Sequence, residues 1–329
     1  MKIKENAVLQ NSLKLKSRAK YHLLVDSCDD FDELSEFVLS KKLNYFILGE
    51  GTNIIPTDFF NGIIISCRFN NLKLSKNKLE CGSSINWHKL VLYAIENNIY
   101  GFENLSLIPG SVGAAPVQNI GAYGAEISNL INSIDCYDIE NKKILNLNNF
   151  DCKFSYRDSI FKSKKYLIYN INFHINKSKK LNFKYQSLTD YITMNKIDPN
   201  EITLRNMSNI ICSIRESKLP DPIKLPNAGS FFKNPIVSIE TFKKLEKYDI
   251  VFWKINNSTF KIGAARLIEL IKDELPIINN VGIYDKHSLV ITTDGNASFN
   301  KLIKYIQLIK NKIFEKFEIN LVVEPLILK

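Results

Sequence analysis

No two cysteines in this sequence stand at CxxC spacing, and none has a histidine nearby at zinc-ligand spacing. The common zinc modules and thioredoxin-like redox pairs are thereby excluded. The six cysteines (Cys28, Cys67, Cys81, Cys136, Cys152 and Cys212) are scattered along the chain, as in a protein kept reduced, and a cytoplasmic location is expected. Long apolar runs are also missing. No segment approaches the ~20 residues of a membrane-spanning helix, and the opening MKIKENAVLQNSLKLKSRAK carries lysines without the apolar centre of a signal peptide. Histidine is scarce: His22, His88, His174 and His287 carry no motif, no metal is expected, and His88, beside the core-facing Trp87, is expected to face solvent.

What is abundant is lysine. Lys and Arg number 44 against 34 Asp and Glu, a net charge of +10. A basic balance raises the question of nucleic acid, but the lysines are dispersed through every segment among Asn and Ile, and no recognition helix, zinc finger or RNA-binding signature is present. The charge favours anionic small molecules instead. At 329 residues with 45% hydrophobic composition the chain exceeds what one core usually serves, so two or three folded domains are expected.

Glycine and proline concentrate in one place. Residues 101–126, GFENLSLIPGSVGAAPVQNIGAYGAE, hold five of the 13 glycines and two of the 10 prolines, and a smaller turn, ILGEGTN, carries Gly49 and Gly51 directly after an apolar run. Between Pro109 and Tyr123 no side chain is charged. An anion held there would be held by backbone N–H groups and small polar groups such as Ser111, Gln118 and Asn119, which suits a diphosphate. A Gly/Pro loop of this kind is equally well an ordinary structural turn.

Periodicity orders the rest. Helices are expected over Asp29 to Leu39, with Phe31, Leu34, Phe37 and Val38 inward, and over Asn86 to Asn97, where Trp87, Leu90, Val91, Ala94 and Ile95 share one face. NYFILG and GIIISC read as strands in an α/β or α+β arrangement; from Ile131 the runs INSIDCYDI, KKILNL and YLIYNINFHI read as antiparallel strands. A helix through Met207, Ile210, Ile211 and Ile214 must stop near Leu219, because Pro220 and Pro222 cannot continue it. Helices from Ser238, around Gly263 to Ile271 and from Phe299 to Phe317 follow, with HSLVIT as a strand among them. NLVVEPLIL closes the chain as an apolar strand on which Glu324 is the single charge of the face bearing Val322, Leu326 and Leu328. Such a carboxylate is either functional or an edge-strand glutamate beside a strand-ending proline.

IPGSVGAAPVQNIGAYGAEI, with LGEGTN upstream and FSYRDSIFK, NAGSFFKNP and VEP downstream, closely resembles the UDP-N-acetylenolpyruvoylglucosamine reductase family, in the family's own order and over nearly the whole chain. The resemblance implies an α+β protein of three domains: an FAD-binding fold of the vanillyl-alcohol oxidase type, built from 1–68 with 317–329 and from 69–218, and a substrate-binding α+β domain at 219–316. It implies non-covalent FAD bound by Gly49, Gly51, Thr52, Asn53, Pro109, Gly110, Ser111, Gly113, Asn119, Gly121, Ala122 and Tyr123. NADPH is the implied hydride donor and a UDP-sugar enolpyruvyl ether the substrate, with no nucleic acid, no membrane and a monomer expected. The catalytic residues it implies are Arg157, whose planar fork grips a carboxylate, Ser230 as proton donor and Glu324; Lys218 and Asn234 polarise the serine and bind substrate, and Tyr185 folds over it. Taken without the motif, Arg157 beside Asp158 reads as a local ion pair and Ser230 as a turn residue. An FAD-dependent oxidase or a silent flavin-binding protein of the same fold is the alternative, and neither needs Arg157, Ser230 and Glu324 together. One departure lies at DELPIINNVGIYDKH, where the family leads one to expect a glycine-rich turn, and Arg266 stands where an aromatic is usual.

Overall fold

The structure, a computed structural model, describes residues 1–163, 165–178 and 180–329. Its residues group into two compact units: 1–7, 19–50 and 61–217 in the first, and 8–18, 51–60 and 218–329 in the second. The change of unit after Ser217 falls at the expected stop before the prolines. The expected three-way division is not the compact grouping, because 1–50 and 61–217 share one unit and 317–329 groups with 218–316.

The first unit holds a five-stranded antiparallel sheet in the order Lys143–Asn148, Ile131–Asp138, Tyr166–His174, Lys78–Gly82 and Leu72–Leu74. It also holds most of a four-stranded sheet in the order Lys2–Val8, Arg18–Val25, Phe59–Cys67 and Tyr45–Ile47, covered by the helix Phe31–Lys41. Phe31 stacks on Tyr137 at 4.4 Å, so the two sheets share an aromatic seam. The helix Trp87–Glu96 buries the five residues that its periodicity selects. Trp87 carries its indole N–H to the Leu105 carbonyl at 2.8 Å, which satisfies its polar atom in the core and fastens the helix to the glycine-rich segment. Asn86 caps this helix, accepting from the amides of His88 and Lys89 at 3.1 and 3.2 Å. Asn86→Ala should therefore lower stability by about 1 kcal/mol, read as a drop in Tm by calorimetry; an unmoved Tm overturns the cap assignment.

In the second unit, Asn227–Ser230 pairs with Val290–Thr293, which pairs with Val281–Ile283. The helix Phe299–Phe317 has the bounds of the sequence reading, which did not include the hairpin of Phe252–Lys254 and Thr259–Ile262. Where a glycine-rich turn was expected, Asn280 takes the left-handed backbone itself (φ 77°), a conformation asparagine tolerates, and the chain turns from Ile278 to Val281. Arg266 spans the Tyr248 carbonyl and Glu269, so a charge is accommodated at the rim of its helix.

The closing strand differs from expectation. Only Leu326–Leu328 is a strand, paired in parallel with Ile54–Pro56, and Val322 is exposed. The reason is Pro325, which has no N–H to donate. Before it, Glu324 N–H bonds the Phe231 carbonyl at 2.9 Å and Lys233 N–H the Val322 carbonyl at 2.9 Å. After it, Leu326 N–H bonds the Asn53 carbonyl at 3.0 Å. The chain changes partners at the proline, so Glu324 lies at a junction and not on the face of one continuous strand. Among the described residues no helix is long and apolar enough to cross a membrane.

Candidate functional site

In the first unit the two glycine turns meet. A Cβ on Gly49 would lie 2.6 Å from Ser111 Oγ and 3.2 Å from Ala114 Cβ, and one on Gly113 would lie 2.5 Å from Ser83 Cβ. These glycines are required by chain packed on chain. The amides of the loop are used differently from the sequence expectation. Val112 and Gly113 donate to the Ile85 and Ser83 carbonyls at 2.8 Å, Ala114 and Ala115 to Ser111, and Asn119 and Ile120 to Pro116 and Ala115. A seven-residue 3-10 run, Val112–Gln118, and its flanks have consumed them. The amides of Gly49, Glu50, Gly110 and Ser111, at the place where the two turns touch, donate to no partner among the described residues. The smaller turn is not free of charge: its Glu50 carboxylate accepts from Asn86 Nδ2 at 3.2 and 3.3 Å. Pro109 is exposed at the edge of this junction.

Beyond it, Gly121–Ala122 pairs with Ala125–Glu126 as a tight hairpin. The side chain of Asn119 is fully engaged, with Nδ2 donating to Glu126 at 2.8 Å and to the Ser155 carbonyl at 3.1 Å, and Oδ1 accepting from Ser128 N–H. It holds the loop in place and leaves no amide atom over for a ligand. The Ser155 contact ties it to the turn that presents Arg157, closed by reciprocal 3.1 Å bonds between Ser155 and Asp158. Arg157 has a left-handed backbone (φ 54°), an uncommon conformation for a non-glycine residue and one found at functional positions. Its guanidinium donates to the Gly121 carbonyl at 3.3 Å and lies 5.2 Å from the Tyr156 ring centre, while Asp158 pairs with Lys162 at 3.4 Å. Tyr123 meets Tyr185 edge-to-face at 5.5 Å, so the structure brings these two expected site residues together.

The second unit assembles the rest. Gly51, Thr52 and Asn53 run into the strand Ile54–Pro56, and the Asn53 carbonyl receives Leu326 N–H, so this turn borders Glu324–Pro325. Glu324 N–H in turn reaches Phe231, the residue after Ser230. Three stretches far apart in sequence, 51–53, 230–232 and 323–326, thus converge. Ser230 is half-buried and its hydroxyl makes no hydrogen bond among the described residues. Asn234 does not bond it; its Oδ1 accepts from Ala264 N–H at 3.0 Å, at the start of the helix Ala264–Glu269. Lys218 ends the helix Leu204–Lys218, exposed, and its charge acts on His287, whose pKa is pushed down first by burial and then by Lys218.

Two residues of the first unit were misread or missed. His88 does not face solvent: it is half-buried, its Nδ1 accepts from Leu107 N–H at 3.0 Å, and burial holds its pKa below the usual imidazole value, with the Arg215 charge adding to the effect. Arg215 had no place among the expected site residues. The signal was available, because Met207, Ile211 and Arg215 follow at intervals of four on the buried side of one helix.

Comparison with known proteins follows the same division. Residues 221–328 match the family described as UDP-N-acetylenolpyruvoylglucosamine reductase, C-terminal domain, and residues 19–148 match the FAD binding domain family. A UDP-N-acetylenolpyruvoylglucosamine reductase from Buchnera aphidicola subsp. Baizongia pistaciae is 35% identical, covering 86% of this chain and 86% of its own. One from Flavobacterium johnsoniae is 32% identical over 98% of this chain and 99% of its own. The crystal structure of UDP-N-acetylenolpyruvylglucosamine reductase from Thermus caldophilus superposes with a TM-score of 0.68 over the whole of both chains at 16% identity, a likeness of fold.

Proposed function

The chain belongs to the UDP-N-acetylenolpyruvoylglucosamine reductase family, and from that premise we propose that it reduces UDP-N-acetylglucosamine enolpyruvate to UDP-N-acetylmuramate with NADPH, as a step of peptidoglycan precursor synthesis in the cytoplasm. It is an FAD-dependent oxidoreductase. The residues present fit that cofactor: unpaired amides of Gly49, Glu50, Gly110 and Ser111 cluster where two glycine turns touch, which is what a diphosphate needs. FAD, when bound, supplies the two-electron store that takes reducing equivalents from NADPH and passes them to the vinyl carbon of the substrate.

The observation that supports the reading is the bond from Glu324 N–H to the carbonyl of Phe231, which joins the backbone of the closing segment to the residue after Ser230. Reduction at the vinyl terminus leaves negative charge on the carbon next to the substrate carboxylate. Arg157 grips that carboxylate through its planar fork and opposes the charge. Glu324 is assigned to stabilise the enol-like intermediate, and Ser230 to hand its hydroxyl proton to the carbon. A hydroxyl is a weak acid, so Lys218 and Asn234, both in the second unit, are assigned to polarise it and to bind substrate. Tyr185, against Tyr123, covers the substrate, and residues 219–316 form the domain that binds it.

The test is the visible spectrum of the purified protein, its anaerobic bleaching by NADPH and its recovery on adding the enolpyruvyl substrate. A protein that takes up no FAD overturns the reading; one that is bleached but reoxidised only by oxygen is the oxidase alternative. Within that assay Arg157→Lys keeps the charge and loses the fork, so kcat/KM for the substrate should fall about 10- to 100-fold with FAD still bound, the worth of a charged two-point contact of roughly 1.5–3 kcal/mol. Unchanged kinetics would return Arg157 to a structural role.

A further inference from the structure

The helix Leu204–Lys218 turns a buried face of Leu204, Met207, Ser208 and Ile211 inward, and Ser208 Oγ lies 2.8 Å from Ser106 Oγ, which docks the helix on the start of the glycine-rich segment. One helical turn beyond Ile211 stands Arg215. Its Nε is enclosed by protein and has no hydrogen-bond partner, and its guanidinium makes no hydrogen bond or ion pair with any described residue. The groups that act on its charge are the Tyr123 phenol and the Cys212 thiol, both neutral at pH 7, with His88 held neutral on the same side. The carbonyl of the same Tyr123 accepts from Asn104 Nδ2 at 2.8 Å, which also donates to the Asn182 carbonyl at 3.0 Å, and the buried Asn104 Oδ1 accepts nothing.

A desolvated cation without a counter-charge costs several kcal/mol. Surface arginines avoid this by reaching water, and core arginines by pairing with a carboxylate. This one pairs with no carboxylate and keeps its Nε enclosed and unpartnered, although the residue is partly exposed, and no charged side chain lies between Pro109 and Tyr123. The arrangement makes sense when the counter-charge arrives with a ligand. We propose that Arg215 is the protein's counter-charge for a negative charge on bound FAD, set against Tyr123 at the end of a loop that has none of its own. The proposal rests on the FAD reading above. The charge has two sources, the diphosphate or the ring once reduced, and both are met by the same guanidinium.

The experiment is made on apo and FAD-loaded protein, with Arg215→Gln and Arg215→Lys beside wild type. Removing an uncompensated cation should leave the apo Tm of Arg215→Gln equal to or above that of wild type, whereas a structural arginine would lower it. The same variant should then either bind oxidised FAD at least tenfold more weakly with an unmoved midpoint potential, which assigns the charge to the diphosphate, or bind oxidised FAD normally and lose a factor of ten in preference for the reduced form. The latter is a fall of about 30 mV in the two-electron midpoint potential and assigns the charge to the ring. Arg215→Lys should retain most of either effect. A fall in apo Tm, a failure to fold, or an unchanged affinity together with an unchanged potential overturns the proposal. A wild-type protein that binds no FAD removes the parent reading first, so the two failures are told apart.

Discussion

Ser230→Ala will be bleached by NADPH at a nearly normal rate and will then be reoxidised by the enolpyruvyl substrate 10^2 to 10^4 times more slowly, on the order of what a positioned general acid contributes. That is about 2.7–5.5 kcal/mol of barrier. The asymmetry follows from timing: the step that consumes NADPH leaves no carbon to protonate, and the step that consumes substrate does. The structure makes the substitution a clean one. The Ser230 hydroxyl has no hydrogen bond among the described residues, and the strand Asn227–Ser230 is held by Phe231 N–H to the Leu289 carbonyl at 2.8 Å, which alanine leaves intact. Stopped-flow measurement of the two half-reactions decides the matter. If reoxidation by substrate keeps its wild-type rate, the proton comes from elsewhere and Glu324 is the next residue to replace; if both half-reactions fail with loss of flavin, Ser230 is structural.

Gly113→Val should yield protein without flavin. The new Cβ would lie 2.5 Å from Ser83 Cβ, 3.1 Å from the Ser83 carbonyl oxygen and 3.2 Å from Ser83 Cα, none of which can swing aside. Relief requires the two segments to part, which breaks the 2.8 Å bond from Gly113 N–H to the Ser83 carbonyl and displaces the neighbouring Gly110 and Ser111 amides. Overpacking of this kind costs about 1–3 kcal/mol in stability. Displacing two donors from a diphosphate costs a further ~3 kcal/mol of binding, or about a hundredfold in Kd. Gly282→Ala is the matched control, since no heavy atom lies within 4 Å of its Cβ position. Fluorescence titration of FAD into both apo proteins gives the answer: wild-type affinity in Gly113→Val would mean that the loop does not bear on the cofactor.

Periodicity alone placed the amphipathic helices Trp87–Glu96 and Phe299–Phe317, because a continuous apolar stripe has one way to be buried. It also placed the long antiparallel strands Ile131–Asp138 and Tyr166–His174. It failed at NLVVEPLIL. Alternation there suggested one strand, but a proline without an N–H splits the segment between two partners, and the identity of those partners is not a local property. Composition likewise found the glycine-rich loop and could not say which of its amides were spent. Between Val112 and Ile120, the amides of Ala114, Ala115, Asn119 and Ile120 close bonds within the loop and those of Val112 and Gly113 donate to Ile85 and Ser83. His88 was misread for the same reason: the Leu107 N–H that fixes its ring lies 19 residues away.

The sequence by itself determined the family, the helices and most long strands, and the choice of Arg157, Ser230 and Glu324 as the residues to examine, since each of these is carried by motif, period or spacing. Tertiary structure alone decided that Gly49 and Gly113 serve chain packing, that Asn119 is consumed in holding the Arg157 turn, that the Glu324 backbone bonds Phe231, and that Arg215 has an enclosed Nε without a partner. The physical reason is the same throughout. Hydrogen-bond satisfaction and desolvation depend on which atoms lie within about 3 Å, and in a folded chain most of those atoms come from distant residues.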